Sequence, residues 1–173
     1  MADVATIFWQ SGKIVEAERL DQEVLELRNK AFEKTHKATL QAMSNLAATF
    51  RKSGELKKAE VLQQEVLRIH KEAFGSSHPD TIQAMLNLTI TYWQGGKLED
   101  AKELNQEVLE IEMKKEVSEK SHLNTIQVMS NLAATYWQGG NLEEAEKLEQ
   151  KVLQMRKGEF ESINIPAITI ECN

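Results

Sequence analysis

Apolar positions recur along the chain at helical spacing. Met85, Leu88, Thr89 and Tyr92 stand three, one and three residues apart, which places them on one helical stripe. Met43, Leu46, Ala47 and Phe50 form the same stripe, as do Met129, Leu132, Ala133 and Tyr136. A second kind of stripe runs through Leu98, Ala101, Leu104, Val108 and Ile111. The spacing predicts one helix over about 79–94 and a second over about 97–115. Pro79 suits an early helical position, where its missing N–H costs nothing. Gly95-Gly96 ends the first helix, because glycine accepts the left-handed conformation at a helix C-terminus. Glu110 with Lys114, Glu143 with Lys147 and Glu26 with Lys30 are i,i+4 pairs of the favourable order.

These two helices form a unit that repeats. Thr81-Ile82-Gln83-Ala84-Met85 returns as Thr125-Ile126-Gln127-Val128-Met129, and Tyr92-Trp93-Gln94-Gly95-Gly96 returns unchanged from Tyr136 to Gly140. Residues 81–114 and 125–158 share 19 identities in 34 positions. The turn glycines Gly12, Gly54, Gly96 and Gly140 are 42, 42 and 44 apart, and His36, His78 and His122 keep the same steps. The two extra residues therefore lie between Gly96 and His122. Ala59, Ala101 and Ala145 each fall five residues after a turn glycine, where a small side chain lets paired helices approach closely. The expected units are 1–36, 37–78, 79–122 and 123–162, with an irregular tail over 163–173. In the first unit, Ala2–Ser11 is expected to pair with Lys13–Phe32.

Composition narrows the function. Only 2 of 173 residues are proline, which leaves long stretches free to be helical and points to an all-α chain. Lys and Arg number 21 against 27 Asp and Glu, a net charge of −6 that disfavours a nucleic-acid partner. No apolar run is long enough to span a bilayer, so no membrane role is expected. The first residues lack the basic start and apolar stretch of a secretory signal. Cys172 stands alone, which rules out a disulfide framework. The chain reads as cytoplasmic.

Asn-Leu-Ala-Ala-Thr-Tyr at 131–136, Gly140 and Ala145 resemble the tetratricopeptide repeat, whose pattern is a Leu, a small residue, an aromatic, then Gly and Ala. The 42-residue period, His-Pro-Asp-Thr-Ile at 78–82 and Leu-Glu-Asp-Ala at 98–101 resemble the kinesin light chain type of that repeat. HEAT and armadillo repeats share the period but lack Gly and Ala at these offsets. The resemblance implies an α-solenoid of about three and a half stacked repeats, wound as a right-handed superhelix. It implies a protein-interaction module that binds a peptide or partner protein in its concave groove, as an adaptor or a piece of a larger array. Rival readings are self-association through uncapped ends and a sensor segment of a larger NTPase or motor adaptor. The chain itself has no Gly-x-x-x-x-Gly-Lys-Ser/Thr phosphate loop. Residues Leu148, Val152 and Met155 of the last helix are expected to lie uncovered unless the tail packs on them.

Candidate chemistry is sparse. His36, His78 and His122 fall in successive loops, too far apart to gather easily on one ion, so each is read as serving a loop or helix start. His70 suggests nothing. No metal, cofactor or catalytic residue is expected, because a reactive site needs unlike groups that converge and repeats supply like ones. Binding is the better prospect. Asn45, Asn87 and Asn131 match the family position whose side chain contacts a bound peptide backbone, and Asn offers both a donor and an acceptor. Gln41, Gln83 and Gln127 lie one turn earlier on the same face. Trp93 and Trp137 follow the Asn by six residues, with Arg51 at that place in the second repeat. The tryptophans would either floor the groove or pack against the next repeat, and packing is favoured because aromatic burial is worth most inside.

Overall fold

The computed structural model describes the backbone of residues 12–114 and 119–163, and the side chains of 12–114 and 125–157. Among these residues every regular element is a helix: α1 (Ile14–Ala31), α2 (Lys37–Ser53), α3 (Leu56–Phe74), α4 (Pro79–Gln94), α5 (Leu98–Lys114), α6 (Glu119–Gln138) and α7 (Leu142–Ile163). The helix expected over 79–94 is α4 to the residue, and α5 is one residue shorter at each end than expected. The last helix runs through Ser162 to Ile163. The expected helix Ala2–Ser11 and the tail from 164 lie outside the described residues. The chain divides into two compact units after Leu104, inside α5.

In the first unit α1 packs on α2, α2 on α3 and α3 on α4. Met43, Leu46, Ala47 and Phe50 are all buried, as are Met85, Leu88 and Thr89. Leu46, Phe50 and Ala59 form a cluster onto which Leu25 and Leu62 pack. Ala17, Ala59, Ala101 and Ala145 are fully buried, the result expected of small residues at a close helix approach. Tyr92 is half-buried, with its hydroxyl accepting from Gln64 Nε2 at 3.0 Å. In the second unit α6 packs on α7, around Ile126, Met129 and Val152.

The turns follow from their glycines. Gly54, Gly96 and Gly140 have φ of 84°, 72° and 77°, the left-handed region where a Cβ is strained. Gly95, by contrast, has φ −80° and needs no such freedom. The next helices begin on histidines. His36 Nδ1 accepts from Ala38 N, and His78 Nδ1 from Asp80 N, both at 3.2 Å. Phe32 stacks on His36 with ring centroids 4.2 Å apart, and Phe74 on His78 at 4.8 Å. These two histidines are thus helix caps, as expected; the side chain of His122 lies outside the described residues. Glu143 pairs with Lys147 at 2.8 Å and Glu110 with Lys114 at 3.9 Å, but no ion pair joins Glu26 to Lys30.

Two buried hydrogen bonds tie successive repeats in the first unit. Thr49 Oγ1 donates to Asp21 Oδ2 at 2.6 Å, and Thr91 Oγ1 to Gln63 Oε1 at 2.6 Å. Each joins a second helix to the next first helix across the same offset of 28 residues. The aligned pair in the second unit is Asn105 and Thr135, where the repeat is two residues longer. There the tie is absent: Thr135 Oγ1 donates to Asn131 O in its own helix at 2.9 Å, and both amide atoms of Asn105 are buried without a partner.

At the end of α7 the inward stripe is at least partly covered, and the tail expected to pack on it lies outside the described residues. Val152 is buried, and Leu148 and Met155 pack inward beside it against Ile126 and Met129. The residues left open are Leu142 (52% exposed) and Leu153 (57%). Adjacent helical residues differ by about 100° in direction, so the inward stripe through Val152 turns Leu153 outward. Leu67, which aligns with Leu153 in the second repeat, is 8% exposed.

Candidate functional site

The recurring Gln and Asn form a bonded pair in each of three repeats. Gln41 Nε2 donates to Asn45 Oδ1 at 2.9 Å, Gln83 Nε2 to Asn87 Oδ1 at 3.2 Å, and Gln127 Nε2 to Asn131 Oδ1 at 3.0 Å. The spacing of four puts the two amides on one face, one turn apart. Each Gln is exposed and each Asn half-buried. The internal bond uses a Gln donor and the Asn carbonyl. It leaves the Asn NH2 and the Gln carbonyl free for other partners, at least one donor and one acceptor per repeat.

Three of these residues, Gln41, Gln83 and Asn87, line a pocket in the first unit, and Asn45 does not. A hollow of about 120 Å³ opens between α2 and α4, with Gln41, Leu40 and Ser44 on one wall and Gln83, Ala84 and Asn87 on the other. Lys37 and Asp80, from the first turns of α2 and α4, and His70 of α3 complete the lining. His70 Nδ1 is buried without a hydrogen-bond partner. Burial pushes the imidazole below its ordinary pKa, with the Asp80 carboxylate opposing that shift. His70 is the residue that sequence reasoning passed over. Its isolation among the loop histidines hid it, since only the packing of α3 behind α2 and α4 shows what it faces.

The other expected groove residues are not gathered into this pocket. The Gln127–Asn131 pair lies on α6 in the second unit. Arg51, in the last turn of α2, is half-buried, its Nε is enclosed without a partner, and burial lowers its pKa. Trp93 is 37% exposed and Trp137 50%. Trp137 Nε1 donates to Glu149 Oε1 at 3.0 Å, so its ring is held against α7 with one face in solvent. Among the described residues no three His, Cys, Asp or Glu side chains come together as a metal site would require. No described helix is long and apolar enough to cross a membrane.

The family model described as the tetratricopeptide repeat matches residues 1–72, 53–114 and 111–158, nearly the whole chain. The chain belongs to the tetratricopeptide repeat family. Among solved structures it is similar to BtubC (BKLC) from P. vanneervenii, with 17% identity and a TM-score of 0.81 over 98% of this chain. The chain spans 66% of that structure's length. It is also similar to a kinesin light chain protein of Podosopora anserina with nearly identical TPR-like repeats, at 20% identity and a TM-score of 0.65. That match covers 91% of this chain and 94% of the other. A single-substitution form of the same Podosopora protein matches at 20% identity over 92% and 94%, with the same TM-score. No curated protein sequence matches the chain. At such identities the likeness carries the fold alone: an all-α tetratricopeptide repeat, as in the kinesin light chain structures it resembles. Tetratricopeptide repeats are in general protein-interaction modules, and the fold is typically a scaffold without chemistry of its own.

Proposed function

We propose that this protein holds extended segments of a partner protein through the Gln–Asn pairs that each unit carries, without catalysing a reaction. The observation that carries the reading is the repetition of one bonded pair, Gln41–Asn45, Gln83–Asn87 and Gln127–Asn131, each with a donor and an acceptor left over. An extended backbone offers a C=O and an N–H at regular intervals, which is the complement of that set. Holding the Asn by its Gln fixes the amide before binding, so less side-chain freedom is lost on association. Each new hydrogen bond nets only about 0.5–1.5 kcal/mol, so affinity is modest and shared among the pairs. Arg51, Trp93 and Trp137 border the same ends of the first helices and would contribute area rather than the backbone contacts.

Asn45→Ala with Asn87→Ala removes both pairs of the first unit, and Asn87→Ala with Asn131→Ala removes one from each unit. Both double variants are expected to lose at least tenfold in affinity for a partner first isolated with the wild-type chain, while the far-ultraviolet circular dichroism stays the same. Normal binding by both would place the contact surface elsewhere.

A second reading rests on Leu142 and Leu153, which stand exposed at the outer face of α7. Two open leucines on one helix could join another chain there. Sedimentation over a wide concentration range should then show association that Leu153→Glu abolishes. A wild-type chain that stays monomeric at every concentration removes this reading.

A further inference from the structure

Repeats supply like residues at like places, yet the lining of the α2–α4 pocket is particular to its junction. The positions aligned with His70 carry Arg28, Glu112 and Arg156, and those aligned with Asp80 carry Ala38 and Asn124. Only this junction sets an imidazole and a carboxylate at those two places. Both line the same hollow of about 120 Å³, inside the first compact unit.

The hydrogen-bonding groups of this lining are unbalanced. Gln41 and Gln83 each commit their N–H to an Asn, which leaves the side-chain carbonyl to accept. Ser44 Oγ donates to Leu40 O at 3.0 Å and keeps its lone pairs. Asp80 adds a carboxylate. With its proton on Nε2, His70 offers Nδ1 as a further acceptor, and that atom is enclosed without a partner. Against these acceptors stand the Asn87 NH2 and the Lys37 ammonium. Lys37 is exposed, on a flexible stem that lets its charge stand off in solvent. A hollow that collects acceptors suits a group that brings only donors, and the heads of lysine and arginine carry several N–H donors and no acceptor. The net charge of −6 favours the approach of a cationic segment.

We propose that the α2–α4 pocket takes the cationic head of a lysine or arginine side chain from the held segment, with Asp80 pairing its charge and the carbonyls of Gln41 and Gln83 and the imidazole of His70 accepting its N–H groups. The proposal rests on the backbone-holding reading and names what the segment carries where it crosses α2 and α4. The charge state of His70 then matters. Burial lowers the pKa of its imidazole, with the Asp80 carboxylate of α4 opposing the shift and the neighbouring His78 reinforcing it. A neutral ring accepts the entering N–H, whereas a protonated ring repels it, as Lys37 of α2 does from the same lining. Binding of a basic side chain therefore weakens as pH falls through the His70 value.

The test uses the whole chain and a short fluorescent peptide of serine and threonine, capped at both ends, with one central lysine. Three further peptides carry arginine, norleucine or glutamate in its place. At neutral pH the lysine and arginine peptides are expected to bind about tenfold or more tightly than the norleucine peptide, with the glutamate peptide weakest. Asp80→Asn, at an exposed position, should cut that preference by about fivefold. The preference should shrink by about threefold or more from about pH 7.5 to about pH 5. His70→Gln, which keeps an acceptor, should remove this change, and His78→Asn, which keeps a helix cap, should leave it in place. Asn45 is not part of the lining, so Asn45→Ala should weaken all four peptides alike and leave the preference intact. If the norleucine peptide binds as tightly as the lysine peptide while Asn45→Ala weakens both, the backbone-holding reading survives and the pocket proposal fails. A preference for the glutamate peptide would give the pocket to Lys37 and overturn the proposal. So would a lysine preference indifferent to Asp80→Asn, a pH change that follows His78 rather than His70, or no saturation of either basic peptide by about 10 mM.

Discussion

Leu88→Asp should unfold the first compact unit at room temperature. Leu88 is 3% exposed, on the stripe of α4 that also buries Met85 and Thr89. Losing a buried leucine costs about 2–5 kcal/mol through lost contacts and the cavity left behind. The aspartate adds several kcal/mol for a carboxylate taken out of water without a partner. Domains are stable by only about 5–15 kcal/mol in total, and a repeat stack is held by nearest-neighbour interfaces that fail together when a central one is lost. Circular dichroism should show most of the helical signal gone, with no cooperative melt. Gln83→Asp, on the exposed face of the same helix, is the control and should melt within a few degrees of wild type. A Leu88→Asp variant with a cooperative melt near the wild-type temperature would contradict the packing described for α4.

The second effect is a contribution of Asp21 to stability that falls as pH rises. Asp21 is 3% exposed and accepts a hydrogen bond from Thr49. Burial raises its carboxyl pKa above the ordinary aspartate value, and the Thr49 bond only partly offsets this. The folded chain thus holds the Asp21 proton more tightly than the unfolded chain does. The resulting stabilisation is complete below the unfolded pKa and is lost as pH climbs through the raised folded value. At neutral pH the fold carries a buried negative charge that its sister repeats avoid, since Gln63 and Asn105 stand at the aligned positions. Asp21→Asn keeps an acceptor for Thr49 and removes the charge. It should raise the melting temperature at pH 7 and flatten its change between pH 4 and pH 7. A wild-type melting temperature that rises over that interval by as much as the variant's would show that Asp21 does not ionise at this cost.

Much of this was legible in the residues. Met85, Leu88 and Thr89 announced their buried stripe because helical packing is local and periodic, and Ala59, Ala101 and Ala145 announced the close approach because only a small side chain fits there. The histidine caps could be inferred from position alone. The Gln–Asn pairing was half legible: the spacing put both residues on one face, and the structure added that they bond to each other. Other features depend on two helices at once. His70 acquires its surroundings only when α3 lies behind α2 and α4. Thr49 with Asp21, and Thr91 with Gln63, look like unrelated polar residues until the offset between them is noticed. Direction around a helix was the weakest point. The one-residue step from Val152 to Leu153 separates a buried side from an open one.

The ties between Thr49 and Asp21 and between Thr91 and Gln63 also govern how the chain finds its alignment. A helix that slides one turn along its neighbour moves about 5.4 Å, and leucines tolerate such a slip better than polar groups do, because one apolar contact replaces another. The buried hydroxyl and its acceptor do not. Slipped by a turn, each would be sealed away from both water and its mate, at a cost of about 1–3 kcal/mol per stranded group. The two ties therefore act as notches that index one helix against the next during folding. A recombinant array built by exchanging these units would have to carry the 28-residue offset across every new junction to stay in step.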